Sequence, residues 1–146
     1  MTAKQYLSRI RILDIKINNK ISELSMLKSK STSLQAVVIN DDKVQTSPAL
    51  DRLGNDVSDI LELEEEIQKE IKRYNDLKHK IINEIHTLNN RLYIEILYKR
   101  YVEFKSLEEI AVEMNYSYQY IRKRHGYALL EFEKTGNTKQ HQDVIL

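Results

Sequence analysis

A seven-residue repeat of apolar side chains runs through the first part of this 146-residue chain and returns after a gap, which restricts the fold to long helices packed along a seam. From Ala3 to Leu34 the two inward positions of the repeat are Ala3, Tyr6, Ile10, Leu13, Ile17, Lys20, Leu24, Leu27, Ser31 and Leu34, and eight of the ten are apolar. The second run is Val57, Ile60, Glu64, Ile67, Ile71, Tyr74, Lys78, Ile81, Ile85 and Leu88, again with eight of ten apolar. Neither helix is stable alone, because each exposes a full apolar stripe until something covers it. With one Pro and three Gly in the whole chain, and 31% charged residues, there are few turns and no sheet signature.

The segment from Gln35 to Asn55 breaks the repeat with Asn40, Asp41, Asp42, Ser47, Pro48 and Gly54, and reads as a connection with a short helical turn near Ala49 to Leu53. Residues 1–34 carry seven Lys or Arg against two acids, a balance of +5, whereas residues 50–88 carry six against ten, a balance of −4. Two long helices of opposite charge joined by a loop are expected to fold back as an antiparallel hairpin. Apolar edges at Leu7, Ile21, Leu61, Leu63 and Leu77 are then left over, which predicts a homodimer. Ile10, Leu13, Ile17, Leu24, Ile67, Ile71 and Ile81 are the residues expected to hold it.

Thr87 to Asn90 is expected to interrupt the second helix, and a third helix from Asn90 to Glu103 carries Leu92, Ile96, Leu97 and Tyr101. Ser106 followed by Glu109 has the spacing of a capping box, and Leu107, Ile110, Ala111 and Met114 form one apolar stripe behind it. Asn115 tolerates the left-handed conformation of a turn, and Ser117 is placed to cap a further helix. In that helix Ile121, Ala128, Leu129 and Phe132 should point inward, with Tyr118, Gln119, Arg122, Lys123 and His125 outward. No acid occurs from Ser117 to Leu130. A basic helix presented after a tight turn suits the major groove of double-stranded DNA. Ser117, Tyr118, Gln119, Tyr120, Arg122 and Lys123 are the candidate DNA contacts on that helix. Tyr101 and Tyr116 are expected in the core.

The fold class expected is therefore all-α: a long antiparallel coiled-coil hairpin for dimerisation over 1–88, a three-helix unit containing a helix-turn-helix over 89–134, and a flexible tail over 135–146. From Ser106 to Phe132 the sequence resembles, without a gap, the helix-turn-helix of region four of bacterial sigma factors. LYKRYVEFK, Leu97 to Lys105, is similar to that family's leading helix, and the match implies that Tyr118, Gln119, Arg122 and Lys123 enter the major groove while Arg100, Lys105 and Arg124 flank it as phosphate ligands. Arg124 departs from the pattern, since sigma factors usually carry an apolar residue there. The ordered segments YLSRIRILDIKINNKISEL, VQTSP, VSDILELEEEI and IAVEMNYSYQYIRKRHGYAL also resemble small phage and prophage proteins of Gram-positive bacteria, the ArpU-like late transcriptional regulators. That resemblance covers nearly the whole chain and implies a sequence-specific DNA-binding regulator of phage late genes.

Other chemistries find little support in the sequence. There is no cysteine for a disulfide or thiolate site, and no apolar run of the roughly 20 residues needed to cross a bilayer, so a cytoplasmic protein is expected. His79 and His86 stand two helical turns apart, about 10 Å, too far to share one metal ion. The acidic run Glu62 to Glu66 lacks the spacing of a calcium loop. Without a phosphate-binding loop or a catalytic constellation, neither an enzyme nor a cofactor is expected. Two further readings share the helical pattern: a small terminase-like phage DNA-packaging protein, and a sigma-like adaptor that touches RNA polymerase.

Overall fold

The computed structural model describes the backbone of residues 1–40 and 48–140, and the side chains of residues 1–31 and 57–138. Every regular element among the described residues is helical: α1 (Ala3–Leu7), α2 (Arg9–Asn40), α3 (Pro48–Ile85), α4 (Arg91–Leu97) running into a π-helical turn (Tyr98–Val102), α5 (Leu107–Met114), α6 (Tyr118–Lys134) and α7 (Asn137–Gln140). The expected single helix over 3–34 is interrupted at Ser8, whose hydroxyl donates to the Lys4 carbonyl at 2.6 Å and competes with the helical ladder. The expected connection over Gln35 to Asn55 is also corrected, since α2 continues to Asn40 and α3 already begins at Pro48. Pro48 fits a first helical position, where a missing amide hydrogen costs nothing. Asp41, Asp42 and Ser47 lie outside the described residues.

The chain divides into two units, Met1–Leu13 with Tyr74–Leu146, and Asp14–Arg73, which is not the expected division into 1–88 and 89–134. The first unit has a core drawn from four stretches: Ala3, Tyr6, Leu7 and Ile10; Ile81, Ile85 and Leu88; Leu97, Tyr101 and Val102; Ala128 and Phe132. Tyr6 stacks on Phe132 at 6.0 Å, and its hydroxyl donates to Glu84 Oε2 at 2.5 Å. The Ala3 amide donates to Glu133 Oε1 at 3.0 Å. Leu7, expected at an exposed edge, is buried here. A second cluster of Ile96, Ile110, Ala111 and Ile121 locks α4, α5 and α6 together.

In the second unit Ile17, Leu63 and Ile67 are buried with the polar Ser31, while Leu24, Leu27, Ile60 and Ile71 are half-buried. Lys20 lies against Glu66 and Glu70, and Lys28 against Glu64 at 3.1 Å, so later positions of α2 meet earlier positions of α3. These ion pairs range from half-buried to exposed, and at a surface position each contributes little. Leu63 is again a correction, being buried rather than left at an edge, whereas Ile21 and Leu61 are exposed as expected. Leu77, in the first unit, is half-buried against its core.

Thr87 to Asn90 separates α3 from α4, and Asn90 caps α4 by accepting the Tyr93 amide at 3.3 Å. At the other end α6 stops at Thr135, whose hydroxyl donates to the Phe132 carbonyl, and Gly136 follows at φ 78, the left-handed region where a side chain would be strained. The chain then enters α7 with Thr138 buried, so the segment expected as a flexible tail begins with one helical turn. Residues 141–146 lie outside the described residues.

Candidate nucleic-acid interface

The bounds of α5 and the turn into α6 are set by three residues. Ser106 Oγ accepts the Glu109 amide at 3.1 Å and starts α5. Asn115 ends it at φ 61 and ψ 40, a left-handed residue whose amide bonds back to the last turn. Ser117 Oγ then accepts the Tyr120 amide at 3.1 Å and starts α6 two residues further on. Each cap satisfies a backbone donor that the helix itself cannot, at a net gain of about 1 kcal/mol apiece. The reciprocal bond of a complete capping box is made at α1, between Thr2 and Gln5.

Ile121, Ala128 and Phe132 of α6 are buried, which leaves Tyr118, Gln119, Arg122 and Lys123 exposed together on its first two turns. Gln119, Arg122 and Lys123 make no hydrogen bond or ion pair among the described residues. Ser117 is exposed at the cap, and Tyr120 is half-buried beneath the exposed row. A shallow groove continues that row through Gly126 and Tyr127 to Leu130. The exposed Tyr116 stacks on Tyr120 at 4.8 Å, correcting its expected place in the core.

The flanking cations are differently placed. Arg100 Nη1 donates to the Lys105 carbonyl at 2.9 Å and holds the turn that follows the π-helical segment. Phe104 in that turn takes φ 60, a conformation costing a bulky side chain on the order of 1–3 kcal/mol, and Arg11 covers its ring at 4.8 Å. Lys105 Nζ pairs with Glu103 at 2.8 Å and Glu113 at 2.6 Å, while Lys99 pairs with Glu113 at 2.5 Å. Hydrogen bonds from Lys105 and Lys99 hold the Glu113 carboxyl below the usual carboxylate range. Arg124 lies 5.0 Å from the Tyr120 ring and 5.9 Å from the Tyr127 ring, with its Nε buried and unbonded. The Tyr93 hydroxyl, then the Tyr120 ring and hydroxyl, favour its charged form. Arg124 is therefore half-buried among Tyr93, Tyr120 and Tyr127, and its guanidinium is engaged by them.

His125, expected outward, is half-buried, and its Nε2 lies 2.7 Å from the Tyr101 hydroxyl. Burial, then the charges of Arg100 and Lys4, push the imidazole down to about 4. Burial pushes Tyr101 up to about 12, so near neutral pH the bond joins a neutral phenol to a neutral imidazole. This bond ties the π-helical turn to the middle of α6. Tyr93, Tyr127 and Glu113 had no expected role; only the spacing of Tyr120, Arg124 and Tyr127 along one helix face announced the aromatic bracket.

Of the residues expected to hold a second copy, Ile10, Ile17, Ile67 and Ile81 are buried within this chain, and Leu13, Leu24 and Ile71 are half-buried. Among the described residues no cluster of His, Asp and Glu is arranged to hold a metal ion, and no helix is long and apolar enough to cross a membrane. No protein-family model, curated protein or solved structure matches the chain.

Proposed function

We propose that this chain is a sequence-specific DNA-binding transcriptional regulator, in which α5 and α6 form a helix-turn-helix and α6 enters the major groove. The observation that carries the reading is the face of α6 bearing Gln119, Arg122 and Lys123: exposed, unpaired among the described residues and followed by no acid before Glu131. An amide that can pair both edges of an adenine stands there beside two cations suited to guanine or phosphate. Arg100, Lys105 and Arg124 act one step back, by fixing the turn and the seat of α6. The resemblance to late regulators of phage and prophage supports the same class of function.

In this reading α2 and α3 form an antiparallel hairpin that brings two copies together. Since Ile17 and Ile67 are spent within the chain, the second copy packs on Ile15, Ile21, Met26, Val57 and Leu61, exposed apolar residues among those described in that unit. The test is selection of bound duplex fragments from the source genome, followed by footprinting with the wild type and with Gln119→Ala and Lys123→Ala. A footprint whose base preference flattens in both variants supports the assignment. Full preference retained in both would remove α6 from the groove.

A further inference from the structure

α6 carries a glycine at its centre that the fold does not use. A glycine inside a helix weakens it relative to alanine, and a fold has two internal reasons to accept that: a left-handed backbone, or a neighbour too close for a Cβ. Gly136 shows the first, with φ 78. Gly126 shows neither, because its backbone is ordinary helix and a Cβ built there would meet nothing within 4 Å. The bare position faces outward, in the groove that runs from Gln119 past Arg122 and Lys123 to Leu130.

We propose that Gly126 is the point of closest approach between α6 and the duplex, where a sugar–phosphate strand passes against the helix main chain. This rests on the reading of α6 as the recognition helix. Gly126 lies seven residues beyond Gln119, about 10 Å along the axis, so when the first turn meets base edges this part of the helix reaches the groove wall. A helix with side chains is about 10–12 Å across and the major groove about 12 Å wide, which leaves no slack on that side. Removing one side chain lets the helix lean against the strand and brings Arg122 and Lys123 within reach of its phosphates. Charge fits the same occupant, since no acid stands between Ser117 and Leu130. Gly126 thus acts as a positioning residue that sets how deeply and at what angle α6 docks.

The experiment compares full-length wild type, Gly126→Ala, Gly126→Leu and Lys123→Ala on the duplex selected by the wild type and on a random-sequence duplex, alongside thermal unfolding. Gly126→Ala should raise the unfolding midpoint while weakening both duplexes alike, by about tenfold, with a larger loss for Gly126→Leu. If Lys123→Ala weakens binding but both Gly126 variants bind like the wild type, the inference falls and the reading of α6 stands. If the wild type binds no duplex at all, both fall. A lower midpoint for Gly126→Ala would show that the glycine serves the fold and would overturn the inference, as would a loss confined to one base preference.

Discussion

The same seven-residue repeat meets two different fates in this molecule. In the unit formed by Met1–Leu13 and Tyr74–Leu146, its positions Ala3, Tyr6, Ile10, Ile81 and Ile85 are fully buried. In the unit Asp14–Arg73, Leu24, Leu27 and Ile60 occupy equivalent positions and remain half-buried, with Val57 44% exposed. The difference lies in the number of layers. Phe132 and Ala128 of α6, with Leu97 and Tyr101, close over the repeat in the first unit, whereas the second is built from parts of α2 and α3 alone. A two-helix seam shields only its central line, and a third layer is needed to exclude water from its edges.

The sharpest way to break this comparison is to remove a layer. A fragment of residues 89–134 is expected to remain unfolded, because it lacks Ala3, Tyr6, Ile10, Ile81 and Ile85, the other half of the core around Phe132. Dispersed amide resonances from the fragment would show that the third layer is self-sufficient.

Point changes should grade in the same order. Ile81→Asp places a carboxylate at a site with no exposed surface and is expected to cost several kcal/mol, whereas Ile71→Asp, at a half-buried site, should cost clearly less. Denaturant titration of both variants decides it, and equal losses would mean that the two units are equally closed.

A smaller effect follows from His125. Its folded pKa of about 4 lies below the ordinary value of 6.5, so folding disfavours the protonated ring. The stability tied to the neutral ring is present above about pH 6.5 and is lost as pH falls from there towards 4. His125→Gln should flatten that window in thermal scans; an unchanged slope would place the titration elsewhere.

The smallest effect separates the two kinds of cation around α6. Lys123→Ala should lower the salt slope of DNA binding by about one and leave stability within about 0.5 kcal/mol. Arg100→Ala should instead cost about 1 kcal/mol of stability through the lost bond to the Lys105 carbonyl, with the salt slope nearly unchanged. A slope that falls equally in both would return Arg100 to the phosphates.

Much of the helical pattern was legible. Caps at Ser106 and Ser117, the left-handed Asn115 and the break before Asn90 are local chemistry, fixed within four residues, and each forms where the residue types placed it. Ile121, Ala128 and Phe132 were readable as inward by period alone. Arg100, Lys105 and Arg124 were not readable as engaged, because their partners include the Lys105 carbonyl, Glu113 on α5 and Tyr93 on α4, and no periodicity within one segment reports a partner on another. His125 was misplaced for the same reason: its neighbour is Tyr101, 24 residues earlier.

By itself the sequence determined that the described chain is helical and which stripe of each helix is apolar, since both follow from short-range periodicity and backbone capping. It also determined that the face of α6 from Ser117 to Leu130 carries no acid. Only the tertiary structure decided which copies of one repeat become fully dry and which cations remain free on α6. Burial and pairing depend on what residues distant in the chain bring to the same place: Tyr6 meets Phe132, and Ala3 meets Glu133, across almost the whole length of the chain.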